Sequence, residues 1–107
     1  MIPSFDVQKT VSFFTDLLDF KTGRYDKSYV ILYKNNLTVH ILKASSDIGE
    51  MEIYFEVDDF GHLWNRIKDK LDGIKFKEPL DREYGMREMH IIIPETKTLM
   101  FIGQALN

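Results

Sequence analysis

Apolar residues near the N-terminus recur with the spacing of one helix face. They stand at i, i+4, i+7 and i+11, at Val7, Val11, Phe14 and Leu18. This spacing predicts an amphipathic helix. Asp6 precedes it as an N-cap, because its carboxylate can accept from the first free backbone N–H groups. The pattern is lost after Leu18, so the stretch around Gly23 is predicted to be a loop.

A second stripe with the same spacing lies in the C-terminal half. Its apolar members are Phe60, Leu63, Trp64, Ile67 and Leu71. Asp58 and Asp59 stand before it as N-cap candidates. Asp72-Gly73 ends it, with glycine where the chain needs a positive φ. These features predict a second amphipathic helix.

Runs of β-branched and aromatic residues predict strands around both helices. The predicted strands are residues 28–33, 37–42, 52–57, 74–76, 89–93 and 98–102. Lys34-Asn35-Asn36 connects the first close pair, and residues 94–97 connect the last. Each of these pairs is predicted to be a hairpin.

The order strand, helix, strands occurs twice, which indicates an internal duplication. A shift of 53 residues superposes Asp6 on Asp59, and a shift of 60 superposes residues 38–42 on 98–102. An insertion between helix and hairpin accounts for the difference. We therefore predict an α+β fold in one domain, residues 1–107, with module 1 at about 1–46 and module 2 at about 50–104. The alternative is an ordinary two-layer fold such as the ferredoxin-like βαββαβ unit.

The composition of the chain mainly excludes some classes of site and partner. The chain has no cysteine, a formal net charge of −3, and scattered basic residues. It therefore has no zinc-thiolate site or thiol nucleophile, and it lacks the basic patch of a nucleic-acid binder. No apolar run approaches the ~20 residues that span a bilayer. The N-terminus lacks a signal-peptide pattern, so we expect a cytoplasmic protein without nucleic-acid or membrane partners.

Three segments carry a family resemblance. The first segment is IPSFDVQKTVSFFTDLLDF. It contains the aspartate cap, an aromatic pair at Phe13-Phe14, and Leu18-Asp19-Phe20 where the chain leaves the helix. The second and third segments follow in the order found in the family: EIYFEVDDFGHLWNRIK and then YGMREMHIIIPETKTLMFIGQ. Together they resemble the glyoxalase/bleomycin-resistance/extradiol-dioxygenase superfamily, the vicinal oxygen chelate proteins. The resemblance implies two tandem βαβββ modules, curved sheets around a cleft, and a homodimer. The turn at residues 94–97 departs from the family by lacking a glycine.

Metal-dependent members of this family take two ligands from each module, one from its first strand and one from its last. The corresponding positions here are His40, Glu52 and Met100, and the fourth falls before the first residue. A thioether suits soft ions rather than hard divalent ones. The resemblance therefore implies no intact metal site, with His40 and Glu52 as weak candidates. A partner chain completing the set is the alternative.

Strand alternation and the resemblance predict which residues line the cleft. Glu52, Tyr54 and Glu56 share one face of their strand, and the opposite face is assigned to the core. The 60-residue shift pairs the strand of His40 with that of Met100. The predicted cleft residues are Thr38, His40, Glu52, Tyr54, Tyr84, Arg87, Met100 and Ile102. The alternatives are a structural role for His40, core packing for Met100 and solvation for Arg87.

We expect a non-catalytic protein that binds or sequesters a small aromatic or amphiphilic molecule without a cofactor, as bleomycin-resistance-type members do. No catalytic residue is predicted, because the serines lack a nucleophile elbow. The second hypothesis is a metal-dependent glyoxalase-, epimerase- or dioxygenase-like enzyme, in which a metal polarises a substrate oxygen. The third is a structural or regulatory dimer.

Overall fold

The computed structural model describes residues 1–45 and 47–106. The chain divides into two compact units, one of residues 1–50 with 93–97, the other of residues 51–92 with 98–107. Ser46, at the predicted end of module 1, and Asn107 lie outside the described residues. Within these residues no helix is long and apolar enough to cross a membrane.

The first module consists of a strand, a helix and three further strands. Its elements are β1 (Ile2–Ser4), α1 (Val7–Ser12), β2 (Lys21–Tyr25), β3 (Tyr29–Lys34) and β4 (Leu37–Lys43). The sheet order is β1-β4-β3-β2, with β1 parallel to β4 and the other pairs antiparallel. A π-helical turn over Phe13–Leu17 continues α1. The predicted first helix and first hairpin are confirmed.

One face of α1 packs on β3 and β4. The Asp6 carboxylate caps the helix by accepting from the Lys9 N–H at 3.2 Å. The buried side chains between helix and sheet include Val7, Val11, Phe14, Leu18, Val30, Leu32, Val39 and Ile41. Burying one side chain of this size contributes about 1.5–3 kcal/mol, so apolar packing holds the module together.

The second module repeats this plan. Its elements are β5 (Met51–Glu56), α2 (Phe60–Ile67), β6 (Phe76–Asp81), β7 (Met86–Ile92) and β8 (Thr98–Ala105). The order is β5-β8-β7-β6, with β5 parallel to β8. Asp59 caps α2 by accepting from the His62 N–H at 3.1 Å. The second helix, the second hairpin and the two βαβββ modules of an α+β fold are confirmed. The ferredoxin-like alternative is wrong, since the strands form two separate sheets.

Two edge strands differ from the predictions. The loop predicted around Gly23 is strand β2, which is exposed along its whole length. A Cβ at Gly23 would lie 1.9 Å from the exposed Tyr33 ring, so any other residue there would displace that ring. The short strand predicted at 74–76 is displaced to β6, which includes Pro79 beside a bulge between Lys77 and Leu80. Proline is tolerated at such an edge position.

The repeat has a different register from the predicted one. Ile2 pairs with Ile41 in module 1, and Phe55 pairs with Ile102 in module 2. Ile2 and Phe55 each stand four residues before the capping aspartate of their helix. Ile41 therefore corresponds to Ile102, a shift of 61 rather than 60 residues.

The cause of this difference is the length of the hairpin turns. Asn35-Asn36 forms a two-residue turn, whereas the equivalent turn spans residues 94–97. A comparison without gaps cannot place the two extra residues in the turn. It therefore misaligns each of the two flanking strands by one residue. A displacement of one residue transfers every side chain to the other face of its strand. His40 thus corresponds to Phe101, not to Met100.

Candidate functional site

One face of the second sheet carries a cluster of polar and aromatic side chains. Strand pairing places Glu52, Tyr54, Glu88, His90, Ile92, Leu99, Phe101 and Gly103 on this face. The opposite face bears the buried Met89, Ile91, Met100 and Ile102, and α2 contacts β8. We call the face with Glu88 the open face.

Glu88 is a buried carboxylate at the centre of the cluster, with only 1% of its side chain exposed. Its Oε2 accepts from the Tyr54 hydroxyl at 2.8 Å, and its Oε1 accepts from the Tyr84 hydroxyl at 2.6 Å. Arg82 Nε and His90 Nε2 lie 3.5 and 3.6 Å from the same Oε1. Both carboxylate oxygens are therefore occupied by the protein's own groups.

These contacts change the pKa values of three groups. Burial raises the pKa of Glu88, but the hydrogen bonds from Tyr84 and Tyr54, together with the neighbouring His90, hold this pKa below its ordinary value. Burial and the hydrogen bond to Glu88 raise the pKa of Tyr54, and the hydrogen bond to Glu88 raises that of Tyr84. A neighbouring carboxylate disfavours a phenolate, so Glu88 is ionised and both phenols are neutral at pH 7.

His90 is fixed in orientation. Its ring stacks on Phe101 with centroids 4.2 Å apart and planes at 7°. Its Nε2 lies 3.2 Å from Arg82 Nη2. A guanidinium can only donate, so this contact assigns Nε2 as the acceptor and places the imidazole proton on Nδ1. Within residues 1–45 and 47–106, Arg82 Nε is buried with no hydrogen-bond partner.

Gly103 permits the contact between Tyr54 and Glu88. It lies on β8, between the strands that carry these two residues. A Cβ at Gly103 would stand 2.1 Å from the Tyr54 hydroxyl oxygen. Only glycine therefore leaves room for the tyrosine to reach across the strand.

A cavity of about 300 Å³ adjoins this cluster. Its lining residues are Lys75, Phe76, Lys77, His90, Ile92 and Leu99. Ile92 and Leu99 are cross-strand partners and supply apolar surface. This volume lies at the lower end of the ~300–1,000 Å³ typical of small-molecule pockets.

The structure brings together part of the predicted site. Glu52 and Tyr54 lie on the open face, and Tyr84 joins Tyr54 through Glu88. In module 1, Thr38 and His40 share the face opposite the buried Val39 and Ile41. Whether any of these residues contacts a ligand stays a prediction.

His40 has a protein partner of its own. Its Nδ1 is hydrogen-bonded to the Tyr29 hydroxyl. The two rings meet edge to face with centroids 5.6 Å apart. This contact occupies one of the two nitrogens by which His40 could bind a metal or a ligand.

Three predicted residues lie on the other face of the second sheet. Met100 and Ile102 are 0% and 1% exposed, and they alternate with the open-face residues of β8. Arg87 pairs with Gln104, on the same side as Met100 and Ile102. The face predicted for Met100 and Ile102 is wrong, because the turn adds two residues and reverses the alternation. Arg87, which the family resemblance assigned to the cleft, lies on the same face as these two residues.

Arg87 has an internal partner in place of a ligand anion. Its Nε and Nη2 donate to the Asp81 carboxylate at 2.7 and 3.2 Å. This pair raises the pKa of Arg87 and lowers that of Asp81. Both side chains are exposed.

Glu88 was not among the predicted site residues. A signal was available, since Glu88, His90 and Ile92 alternate with Met89 and Ile91 along a strand. This alternation defines a mixed face on a central strand. Lys75 and Lys77 were not among the predicted site residues either.

The described residues do not fit a divalent metal ion. Among residues 1–45 and 47–106, no group of three or more His, Asp or Glu side chains is placed to hold one. Glu88 and His90 are neighbours, but the guanidinium of Arg82 lies beside both. Its positive charge repels a cation.

Comparisons with known proteins agree with this architecture. A family model described as the Glyoxalase/Bleomycin resistance protein/Dioxygenase superfamily matches residues 1–94. A search of curated proteins gives no match.

Several solved structures share the fold at low sequence identity. A bleomycin resistance determinant encoded on the transposon Tn5 is 19% identical with a TM-score of 0.79, covering 97% of this chain and 92% of that one. A bleomycin-binding protein from Streptomyces verticillus, complexed with copper(II)-bleomycin, is 19% identical with a TM-score of 0.73, covering 99% and 91%. A lactoylglutathione lyase from Agrobacterium tumefaciens is 12% identical with a TM-score of 0.77, covering 96% and 88%.

Proposed function

Because the chain belongs to the glyoxalase/bleomycin resistance protein/dioxygenase superfamily, we propose that it binds or sequesters a small organic molecule on the open face. The observation that carries this proposal is the cavity of about 300 Å³ beside His90. Its apolar surface and adjacent polar groups have the composition typical of ligand pockets. Bleomycin-binding proteins among the structural relatives support a binding role.

The cluster around Glu88 supports the proposal because it holds the cavity wall in place before binding. His90 is stacked on Phe101 and contacts Arg82, which in turn lies beside Glu88. Side chains that are already ordered lose little conformational entropy when a ligand arrives. A preorganised wall of this kind suits recognition.

The proposed activity is non-catalytic and needs no resident metal. A general base works best with a pKa near the working pH, whereas the pKa of Glu88 is held below its ordinary value and both its oxygens are occupied. The metal-dependent enzyme remains the alternative, and it would need ligands from a partner chain. Metal analysis of protein purified without chelators tests this alternative. One tightly bound divalent ion per chain would favour the enzyme.

Isothermal titration calorimetry provides the binding test. The probe is the uncharged 2-naphthylmethanol, whose fused rings fit the cavity. We expect one saturable site with a dissociation constant of about 1 mM or lower, equivalent to about −4 kcal/mol.

Two variants locate the binding. Ile92→Glu places a charge on the apolar cavity wall and is expected to weaken binding at least about tenfold, or 1.4 kcal/mol. Leu37→Glu makes the same kind of change at a 43% exposed residue of module 1 and should leave binding unchanged. Absence of saturable binding, or equal affinity in Ile92→Glu, would contradict the proposal.

We also propose a homodimer, as the family resemblance implies. Exposed large apolar side chains support it, including Tyr25 and Leu37 in module 1 and Leu80 in module 2. The edge strands β2 and β6 are largely exposed, and edges of this kind favour pairing with another chain. Sedimentation equilibrium should give twice the 12.6 kDa of the chain. A single-chain mass at every concentration would contradict the dimer. The cytoplasmic location stays a prediction.

A further inference from the structure

We propose that the molecule bound in this cavity is a small organic carboxylate with a flat apolar body. Its head group contacts the ammonium groups of Lys75 and Lys77, and its body covers Ile92 and Leu99. This inference rests on the proposed binding function and adds the chemical class of the ligand.

The first observation is the charge of the cavity. Lys75 and Lys77 lie on either side of Phe76, and the six lining residues include no acidic one. Within the described part of the chain, neither lysine forms an ion pair. The open face also carries Glu52 on β5, with β8 and β7 between it and the two lysines at β6. A bound anion would neutralise two neighbouring cations that repel each other.

The second observation is a free donor on the cavity wall. His90 Nε2 is taken by the contact with Arg82 Nη2 at 3.2 Å, which leaves the proton on Nδ1. Among the described residues, Nδ1 has no hydrogen-bond partner. The side chain is 12% exposed and lines the cavity. An N–H and two ammonium groups together complement an acceptor-only carboxylate.

The third observation is uncovered apolar surface next to these donors. Ile92 is 41% exposed, and Leu99 is its cross-strand partner. A ligand that covers them removes apolar area from water. A cavity of about 300 Å³ limits this body to about two fused rings, since larger drug-sized ligands occupy pockets of up to ~1,000 Å³.

A series of probes with one ring system and three charges tests the class of ligand. The probes are 2-naphthoate, 2-naphthylmethanol and 2-naphthylmethylammonium, titrated by calorimetry at low ionic strength. We expect 2-naphthoate to bind at least about tenfold tighter than the alcohol, and the ammonium probe to bind most weakly. Added sodium chloride should weaken 2-naphthoate binding and leave the alcohol unaffected.

A paired substitution assigns this preference to the two lysines. Lys75→Met with Lys77→Met removes both charges and keeps the apolar stems. The variant should bind the alcohol as the wild type does, and its preference for 2-naphthoate should fall to within about twofold. Lys68→Met with Lys70→Met is the matched control, because these exposed lysines follow α2 and do not line the cavity.

The outcomes separate the two proposals. If 2-naphthoate and the alcohol bind equally, and Ile92→Glu weakens both, binding in the cavity stands and the carboxylate class is overturned. If neither probe binds, both proposals fail. If the control pair removes the preference as fully as the cavity pair, overall charge selects the anion and the assignment to Lys75 and Lys77 is overturned. Circular dichroism confirms that each variant is folded.

Discussion

Tyr54 donates its hydroxyl to Glu88 at 2.8 Å, although the two residues lie on β5 and β7 with β8 between them. The tyrosine crosses β8 directly above Gly103. One glycine, one tyrosine and one buried carboxylate therefore form a single structural unit. This unit connects three strands of the second sheet through side chains as well as through the backbone.

Gly103→Ala should disrupt this unit. The added methyl would stand 2.1 Å from the Tyr54 hydroxyl oxygen, so the tyrosine must move and leave Glu88. We expect a loss of about 1–3 kcal/mol in the free energy of unfolding, as for overpacking, measured by urea denaturation. Gly61→Ala is the control: its Cβ meets no atom within 4 Å, and it should stabilise by about 0.4–1 kcal/mol. Equal effects of the two substitutions would refute the account of Gly103.

Glu88→Gln should change how the free energy of unfolding depends on pH in the acidic range. The folded-state pKa of Glu88 is lowered, so Glu88 contributes stability above its unfolded pKa of about 4.3, and this contribution is lost as the pH falls through the folded value. At pH 7 the variant should lose about 1–3 kcal/mol, and the difference from wild type should shrink towards pH 3. Urea denaturation at several pH values measures it. A difference that stays constant with pH would exclude the ionised carboxylate as its cause.

Tyr54 should ionise late in an alkaline titration. Its pKa is raised by burial and by Glu88, so the neutral phenol stabilises the folded state at low pH. That contribution is lost as the pH rises above about 10, the unfolded value. The absorbance of tyrosinate rises as the pH is increased. In Tyr54→Phe, the part of this rise that the wild type shows at the highest pH should be missing. Loss of an early part instead would show that Tyr54 is not protected.

Met100 should behave as a core residue. It is fully buried on the face opposite Tyr54, so Met100→Ala is expected to destabilise by about 2–5 kcal/mol. Met100→Leu keeps the volume and should cost less than about 1.5 kcal/mol. Neither change should alter 2-naphthoate affinity in protein that remains folded. A selective loss of affinity with Met100→Leu would place Met100 in the binding surface.

Arg87→Gln should leave ligand affinity unchanged. Arg87 pairs with Asp81 on the other face of the sheet, so it cannot contribute charge to the cavity wall in the way that Lys77 does. Titration of the variant with 2-naphthoate measures this directly. A large drop in affinity would support the original prediction that Arg87 contacts the ligand.

Much of the fold could be predicted because buried elements impose a period on the sequence. The stripe from Val7 to Leu18 and the aspartate at its start identify the first helix, and the second helix has the same features. The edge strands β2 and β6 were missed or misplaced because both of their faces are largely exposed. An exposed strand carries no alternation that a sequence pattern could detect.

The site was harder to predict for two physical reasons. The face of Met100 and Phe101 depends on the number of residues in the turn at 94–97, and an ungapped comparison cannot count them. The burial of Glu88 depends on Tyr54 and Tyr84, which approach it from other parts of the chain. Neither contact has a local sequence pattern.

Chemical-shift mapping of the ¹⁵N-labelled protein with 2-naphthoate tests the central claim, ligand binding on the open face, most directly. The account predicts that saturable shifts concentrate at the amides of Lys75, Lys77, His90, Ile92 and Leu99. They should be lost in Ile92→Glu and retained in Leu37→Glu. Shifts concentrated around His40, or spread over the chain without saturation, would contradict it.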